Sequence, residues 1–230
     1  MKVQVLFWAP NINIRMKNTI WIFREERSGS SAFVGMLQHK LNMPTYFVDY
    51  EEDLDQTTLD HNTMLNTHHF PFLKDMHKHH DPLLIRTTRK NRTEQYLSEL
   101  MVRWMMKTVY REVNTTDAIF NFQSDITNTF EQLFSKVEPT IIPKSELSSV
   151  HQMFSEKQKL WKKYANQYPN CTVYYEDLCE GIAIPLLGLT DCKLTSDLEI
   201  KKLPEYKQRV FLNYDMLVRW SQELIDEDFG

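Results

Sequence analysis

Residues 20 to 37 read IWIFREERSGSSAFVGML, and this stretch constrains the fold more than any other. Four apolar residues, Ile20 to Phe23, form a β-type run that breaks at Arg24 into a loop of charged and small residues. Phe33, Val34, Leu37 and Leu41 then recur at helical spacing, which predicts a helix over 30–41. The chain holds five glycines, and one of them, Gly29, sits at this junction. A buried strand passing through a tight loop straight into a helix is the repeating unit of parallel α/β sheets.

The remaining pattern keeps that alternation. A first strand is expected over 19–24, a short one over 45–50 (TYFVDY), a strong one over 82–89 (PLLIRTTR) and another over 171–178 (CTVYYEDL). Helices are expected over 92–112, about 117–135, about 146–168 behind a turn capped by Ser145, and through 203–225. Residues 51–81 read as polar and irregular, with six histidines. The expected architecture is a three-layer α/β fold, a central parallel sheet flanked by helices. No internal repeat or low-complexity linker divides it, so one domain is expected over 1–230.

Composition narrows the function. With 42% hydrophobic and 25% charged residues the chain is ordinary for a soluble globular protein. A net charge of −4 argues against a nucleic-acid partner, while leaving room for a locally basic cleft. Cys171, Cys179 and Cys192 are odd in number and lack CxxC spacing, which suits buried thiols in a reduced, cytoplasmic setting. The apolar run before Pro10 is too short for a secretory signal, and no stretch approaches a membrane span, so no membrane partner is expected. Nothing in the sequence sets an oligomeric state.

In a parallel α/β sheet, ligands bind at the carboxyl ends of the strands. A strand followed by a small-residue loop and a helix start offers backbone N–H groups and a positive dipole end, which is an anion site. Ser28, Gly29, Ser30 and Ser31 permit close approach, and Arg27 adds a full charge. Read as structure alone, the same loop is a capped strand-to-helix turn. GxxxxGK[ST] is absent, which argues against a nucleotide triphosphatase of that type, and so is GxGxxG.

These residues resemble a family. RSGSSAF (27–33) resembles the 5′-phosphosulfate loop of the sulfotransferases that use PAPS, 3′-phosphoadenosine 5′-phosphosulfate, roughly P-[KR]-S-G-[ST]-[ST]-W/L. LLIRTTRKNRTEQYLSEL (83–100) resembles the family's 3′-phosphate segment, a strand, an Arg and a helix bearing Ser. On the pattern R-x-D-x-x-x-Q-x-x-S of the bacterial trehalose-type members, Arg89, Asn91, Gln95 and Ser98 fall in place, with Asn for Asp. NTHHFP (66–71) resembles the K-T-H-x-P stretch of the cytosolic branch, whose His is the catalytic base, and VYYEDL (173–178) resembles the YEDL strand end near the adenine.

The resemblance implies a P-loop NTPase-like sulfotransferase fold. It implies transfer of a sulfuryl group from PAPS to a hydroxyl of a small-molecule or carbohydrate acceptor, with no metal. Arg27 and His68 are implied as catalytic residues. Arg27, Ser28, Gly29, Ser30, Ser31 and Ala32 would hold the 5′-phosphosulfate, Arg89 and Ser98 the 3′-phosphate, with Arg86 and Lys90 flanking it, and Tyr175 the adenine. The chain departs from the family at Glu26, where Pro is usual, at Glu25 before it, and at Asn66, where the cytosolic branch has Lys. It has no C-terminal R-K-G, although YKQR (206–209) is basic. Two carboxylates beside an anion loop oppose binding unless they turn away or find a cation such as Arg24. Those departures keep open a non-catalytic nucleotide- or anion-binding protein of the same fold.

The base has rivals: His69, and the carboxylates of Asp49 and Glu51. The histidine-rich stretch ending in HKHH lacks the paired spacing and supporting carboxylate of a zinc site. Asp177 reads as a cap on a following turn.

Overall fold

The computed structural model describes residues 19–48, 63–78, 81–113, 138–194 and 204–229. The chain is α/β. Its centre is a sheet of five parallel strands in the order β2-β3-β1-β4-β5, formed by β1 (Ile20–Arg24), β2 (Thr45–Phe47), β3 (Met64–Thr67), β4 (Leu83–Thr88) and β5 (Asn170–Tyr174). β1 lies in the middle, paired with β3 through Ile20↔Met64 and with β4 through Ile20↔Leu83. All five residues of β1 and all six of β4 are buried, as parallel strands covered on both faces must be.

Alternation along β1 builds two cores. Ile20 and Ile22 join Phe33 and Leu37 of helix α1 (Ser30–Leu41) on one face. The same layer takes Ile184 and Cys192 from an antiparallel hairpin, β6 (Ile182–Ile184) and β7 (Leu189–Cys192). Trp21 and Phe23 point the other way, into Phe70, Phe72 and Met76 of a 3₁₀ segment (Phe70–Lys78) and Trp161. Trp161 belongs to α3 (Lys144–Tyr164). A third cluster joins α3 to α2 (Arg92–Val113) and α6 (Tyr214–Phe229); in it Tyr96 stacks on Phe154 with centroids 5.2 Å apart. Short helices α4 (Tyr175–Glu180) and α5 (Pro204–Val210) complete the described elements.

Several boundaries differ from the sequence expectation. The stretch read as irregular holds the buried strand β3 and the 3₁₀ segment. β3 has only two strongly apolar residues, and its burial comes from lying between β2 and β1. The strand expected over 171–178 ends at Tyr174, and α4 begins there. Asp177 therefore lies inside a helical first turn, bonded to Lys90, and does not cap it. Helix α3 starts at Lys144 with Pro143 at its N-cap in an extended conformation (φ −68°) and no side-chain cap, so Ser145 sits within the first turn. Pro143 has no N–H to satisfy, and its fixed φ starts the turn.

The C-terminal helix is two helices. Thr140 takes the backbone on either side of Phe211, receiving the Leu212 N–H at 2.9 Å and donating to the Val210 carbonyl at 2.8 Å. That pairing takes the Val210 carbonyl and the Leu212 N–H, which a continuous helix would use itself, while the Phe211 N–H still closes α5 on the Lys207 carbonyl at 2.8 Å. Asn213 then clamps Ile142, accepting from its N–H at 3.0 Å and donating to its carbonyl at 2.8 Å. The helix expected over 117–135 lies outside the described residues, as do Asp49 and Glu51.

Candidate functional site

The loop after β1 is shaped by backbone sign changes. Arg27 has φ +60° and Gly29 φ +69°, with Ser28 between them outside the positive-φ region. Such alternation turns successive N–H groups toward one point, the nest geometry that binds anions. Gly29 is the N-cap of α1, and no side chain caps that helix, so its first amides face outward from the sheet's carboxyl end. Glycine is required here for a second reason. A Cβ at Gly29 would come within 2.7 Å of Tyr175 Cε2, and closer still to Cδ2.

The loop rests on a buried carboxylate. Glu25 is 0% exposed. It accepts from Arg86 Nε at 2.8 Å, Thr88 Oγ1 at 2.6 Å and Gln95 Nε2 at 3.2 Å, and pairs with Arg86 Nη2 and Arg92 Nη1. Burial works to raise its pKa, but Arg86, Arg92 and the Thr88 hydroxyl outweigh it and hold the carboxyl below its ordinary value. Glu25 is thus turned away from the loop mouth, and its partners are Arg86 and Arg92, with Arg24 lying over the Phe47 ring at 4.3 Å. Arg86 is buried beneath the loop in this pairing. The Ser28 hydroxyl is also structural, donating to the Glu25 carbonyl at 2.7 Å and bonding Thr87 Oγ1 at 2.9 Å. Gln95 reaches the Glu26 carbonyl at 2.8 Å, tying α2 to the loop.

Above this support lies a cleft lined by Arg27, Gly29, Ser30 and Ser31 of the loop, with His68 and Arg89 facing them. Glu26, Glu99 and Val102 complete its wall. Arg27 keeps exposed surface, yet desolvation and Arg89 lower the proton affinity of its guanidinium, with Glu99 opposing. An arginine remains charged under such a shift. His68 follows β3 directly. Its Nδ1 donates to the Arg24 carbonyl at 2.9 Å, which makes Nε2 the acceptor nitrogen of the neutral ring. Burial and Arg24 lower its pKa, Glu26 opposes, and Lys157 lowers it further, so the ring is neutral at pH 7. Glu26 itself is paired with Lys157 of α3 and lies 3.8 Å from His68 Nδ1. His69 takes the other direction, its ring edge-on to Phe72 at 4.6 Å. Asn66 is buried, its amide donating to the Tyr46 carbonyl at 2.9 Å.

Arg89 follows β4 directly and stacks its guanidinium over the Tyr175 ring at 4.6 Å. Its buried Nε has no hydrogen-bond partner among the described residues. Tyr175 follows β5 and is buried under Gly29, a wedge between loop and sheet. Ala32 packs into the core beneath α1. Asn91 caps α2, accepting from the Glu94 N–H at 2.9 Å, and Lys90 pairs with Asp177 on the surface. The Glu176 carboxylate accepts from the Lys90 N–H at 2.9 Å, fixing the start of α2 to α4.

Ser98 lies outside the cleft, bonded to Lys207 Nζ at 2.7 Å. Lys207, buried on α5, also pairs with Glu94. Burial lowers its pKa, Glu94 opposes, and the nearby charges of Arg89 and Arg27 add to the lowering. Arg27 and Arg89 thus line the cleft together, and Lys207, bonded to Ser98 and Glu94 beside it, lies near enough to feel both charges.

The sequence had marked YKQR as basic without giving Lys207 a place. Glu99 and Lys157 were missed. A signal for Glu99 existed: it follows Gln95 by four residues, so a helix that sets Gln95 against the loop sets Glu99 on the same side. Lys157 had none, because α3 reaches the loop only through the tertiary fold.

Among the described residues, no helix is long and apolar enough to cross a membrane, and no group of three or more His, Cys, Asp or Glu side chains could hold a metal ion. All three cysteines are free thiols, and burial pushes the Cys171 pKa up to about 11. Comparison with protein-family models, with curated proteins and with solved structures gave no match.

Proposed function

We propose that the protein is a PAPS-dependent sulfotransferase on a P-loop-like α/β fold, acting on a hydroxyl of a small-molecule or carbohydrate acceptor. One observation carries this reading. The segments after β1, β3, β4 and β5 deliver Arg27, His68, Arg89 and Tyr175 in turn to one end of the sheet. The order along the chain is the one the sequence resemblance requires.

In this reading the nest of amides at 28–31 and Arg27 hold the 5′-phosphosulfate. The acceptor oxygen attacks sulfur as the bond from sulfur to the 5′-phosphate oxygen breaks, and His68 Nε2 takes the acceptor proton. Arg27 and the loop amides stabilise the charge that develops on the leaving phosphate. Arg89 and Lys207 form the cationic ground for the 3′-phosphate, which competes with Glu94 for Lys207. Ser98 acts there through Lys207.

A non-catalytic nucleotide-binding role is the second reading, favoured by Glu26 and Glu99, two carboxylates in the cleft wall. Calorimetry with 3′,5′-ADP and with ATP·Mg tests the shared part: the proposal expects tight binding of 3′,5′-ADP alone. Turnover of PAPS against a panel of phenols and sugars then separates the two readings. Binding of 3′,5′-ADP without turnover selects the second, and tighter binding of ATP·Mg rejects the sulfotransferase reading.

A further inference from the structure

Glu26 stands in the cleft wall, where a site built only for anions would avoid a carboxylate. Two contacts hold it there. Lys157 of α3 pairs with its Oε1, and the same oxygen lies 3.8 Å from His68 Nδ1. Its Oε2 is buried and accepts no hydrogen bond among the described residues. An unmet buried acceptor in a folded protein calls for a reason. Lys157 is itself enclosed, its side chain 12% exposed and its Nζ 5.4 Å from the centre of the Phe70 ring. The carboxylate is thus tethered by a cation from a distant helix and set beside one imidazole.

We infer that Glu26 is a positioning residue for His68, the fixed counter-charge that lets the ring take and hold the acceptor proton; this rests on the sulfotransferase reading above. In the transfer step the proton of the acceptor hydroxyl passes to His68 Nε2 and the acceptor oxygen bonds sulfur. The bond from sulfur to the 5′-phosphate oxygen breaks, and its electron pair stays on that oxygen. The imidazole has then become an imidazolium. The Arg24 carbonyl already fixes the tautomer through Nδ1 at 2.9 Å, so what the ring needs from Glu26 is charge.

The other groups around the ring do not supply it. Burial, Arg24 of β1 and Lys157 of α3 all disfavour the imidazolium, and Glu26 opposes them together with the Arg24 carbonyl. Phe47 of β2 meets the ring edge-on at 6.1 Å and brings no charge. Arg27, Arg89 and Glu99 line the same cleft. An opposite charge within about 4–6 Å favours the charged form of a titrating group. Glu26 stands within that reach, closer to the ring than the balance of cations would otherwise allow.

Two measurements test it. The His68 ring is titrated by NMR, its signals assigned by their loss in His68→Ala, and PAPS turnover is followed across pH. Glu26→Gln should lower the His68 midpoint and the acid limb together by about one pH unit. It should slow the plateau rate about tenfold, the kinetic equivalent of that unit, without weakening 3′,5′-ADP binding. Loss of a carboxylate that only packs the wall would move neither midpoint nor limb. If Glu26→Gln does not fold, Glu26→Gln/Lys157→Met, which strands no lysine, should still lower the midpoint relative to Lys157→Met alone. An unchanged midpoint, or a lowered midpoint with an unchanged rate, overturns the inference and leaves the sulfotransferase reading standing. Faster turnover with tighter 3′,5′-ADP binding overturns it too, and makes Glu26 a repeller of anions. A wild type that turns over no acceptor removes the sulfotransferase reading and the inference together.

Discussion

Glu25→Gln removes the charge on which the anion loop rests. The carboxylate is fully buried and pairs with two guanidiniums, those of Arg86 and Arg92. Glutamine keeps one acceptor oxygen but points an NH₂ group at the donors of Thr88, Arg92 and Gln95, which now bond Oε2. Breaking a buried ion pair from one side costs about 3–5 kcal/mol. The Arg92 side chain is 17% exposed and recovers some hydration, which places the expected loss near ~3 kcal/mol. Urea unfolding should therefore show a midpoint lower by on the order of 1 M with an unchanged m-value.

The pH dependence gives a second readout. The folded pKa of Glu25 is depressed below 4.5. Its contribution is then fully present above the unfolded pKa and is lost as pH falls through the folded value. The gap between wild type and Glu25→Gln should stay constant from pH 7 to about 5 and close only below about 4.5. A loss under about 1 kcal/mol, or a gap that changes between pH 7 and 5, would refute a charged, paired Glu25 beneath the loop.

Gly29→Ala should cost about 2–5 kcal/mol, the sum of left-handed backbone strain and overpacking against Tyr175. In a Tyr175→Ala background only the backbone part, about 1–2 kcal/mol, should remain; equal costs in both backgrounds would show that the ring does not meet the added methyl. In a sulfuryl-transfer assay, the acid limb of the pH–rate profile should lie below the ordinary histidine value of 6.5, because burial, Arg24 and Lys157 lower the His68 pKa. His68→Ala should abolish the limb and slow turnover roughly 10²–10⁴-fold, and Lys157→Met should move the limb upward; activity that survives in His68→Ala but not in His69→Ala would transfer the role to the neighbour. Arg89→Ala and Lys207→Ala should each weaken 3′,5′-ADP binding by about 1.5–3 kcal/mol while sparing AMP, and equal weakening of both ligands would reduce the two residues to fold support. Arg27→Ala should abolish transfer, and a near-wild-type rate would remove it from the reaction.

Four of the five strands of the parallel core, and α1, were legible because their signals are local. Ile20 to Phe23 is apolar on both faces, and Phe33 and Leu37 repeat at helical spacing. The loop was legible for the same reason, since Ser28, Gly29 and Ser30 announce a turn wherever they lie. β3 was not, because MLNT carries little apolar signal and is buried by its neighbours on either side. The break between α5 and α6 was hidden as well: it is made by Thr140, about 70 residues upstream.

The candidate site divides in the same way. The sequence by itself determined that an Arg-Ser-Gly-Ser loop follows a central strand, that Arg89 and a helix follow another, and that a His pair stands between them. Only the tertiary structure decided which of these meet. It turned His68 into the cleft and His69 onto Phe72, and buried Glu25 against Arg86 and Arg92. It also brought Glu99 into the cleft wall, Lys157 to Glu26 and Lys207 near Arg27 and Arg89, from three different helices. Spacing along a chain fixes which face of an element a side chain occupies. The charges that face it across a parallel sheet depend on strand order and helix packing, which are set by contacts between distant residues.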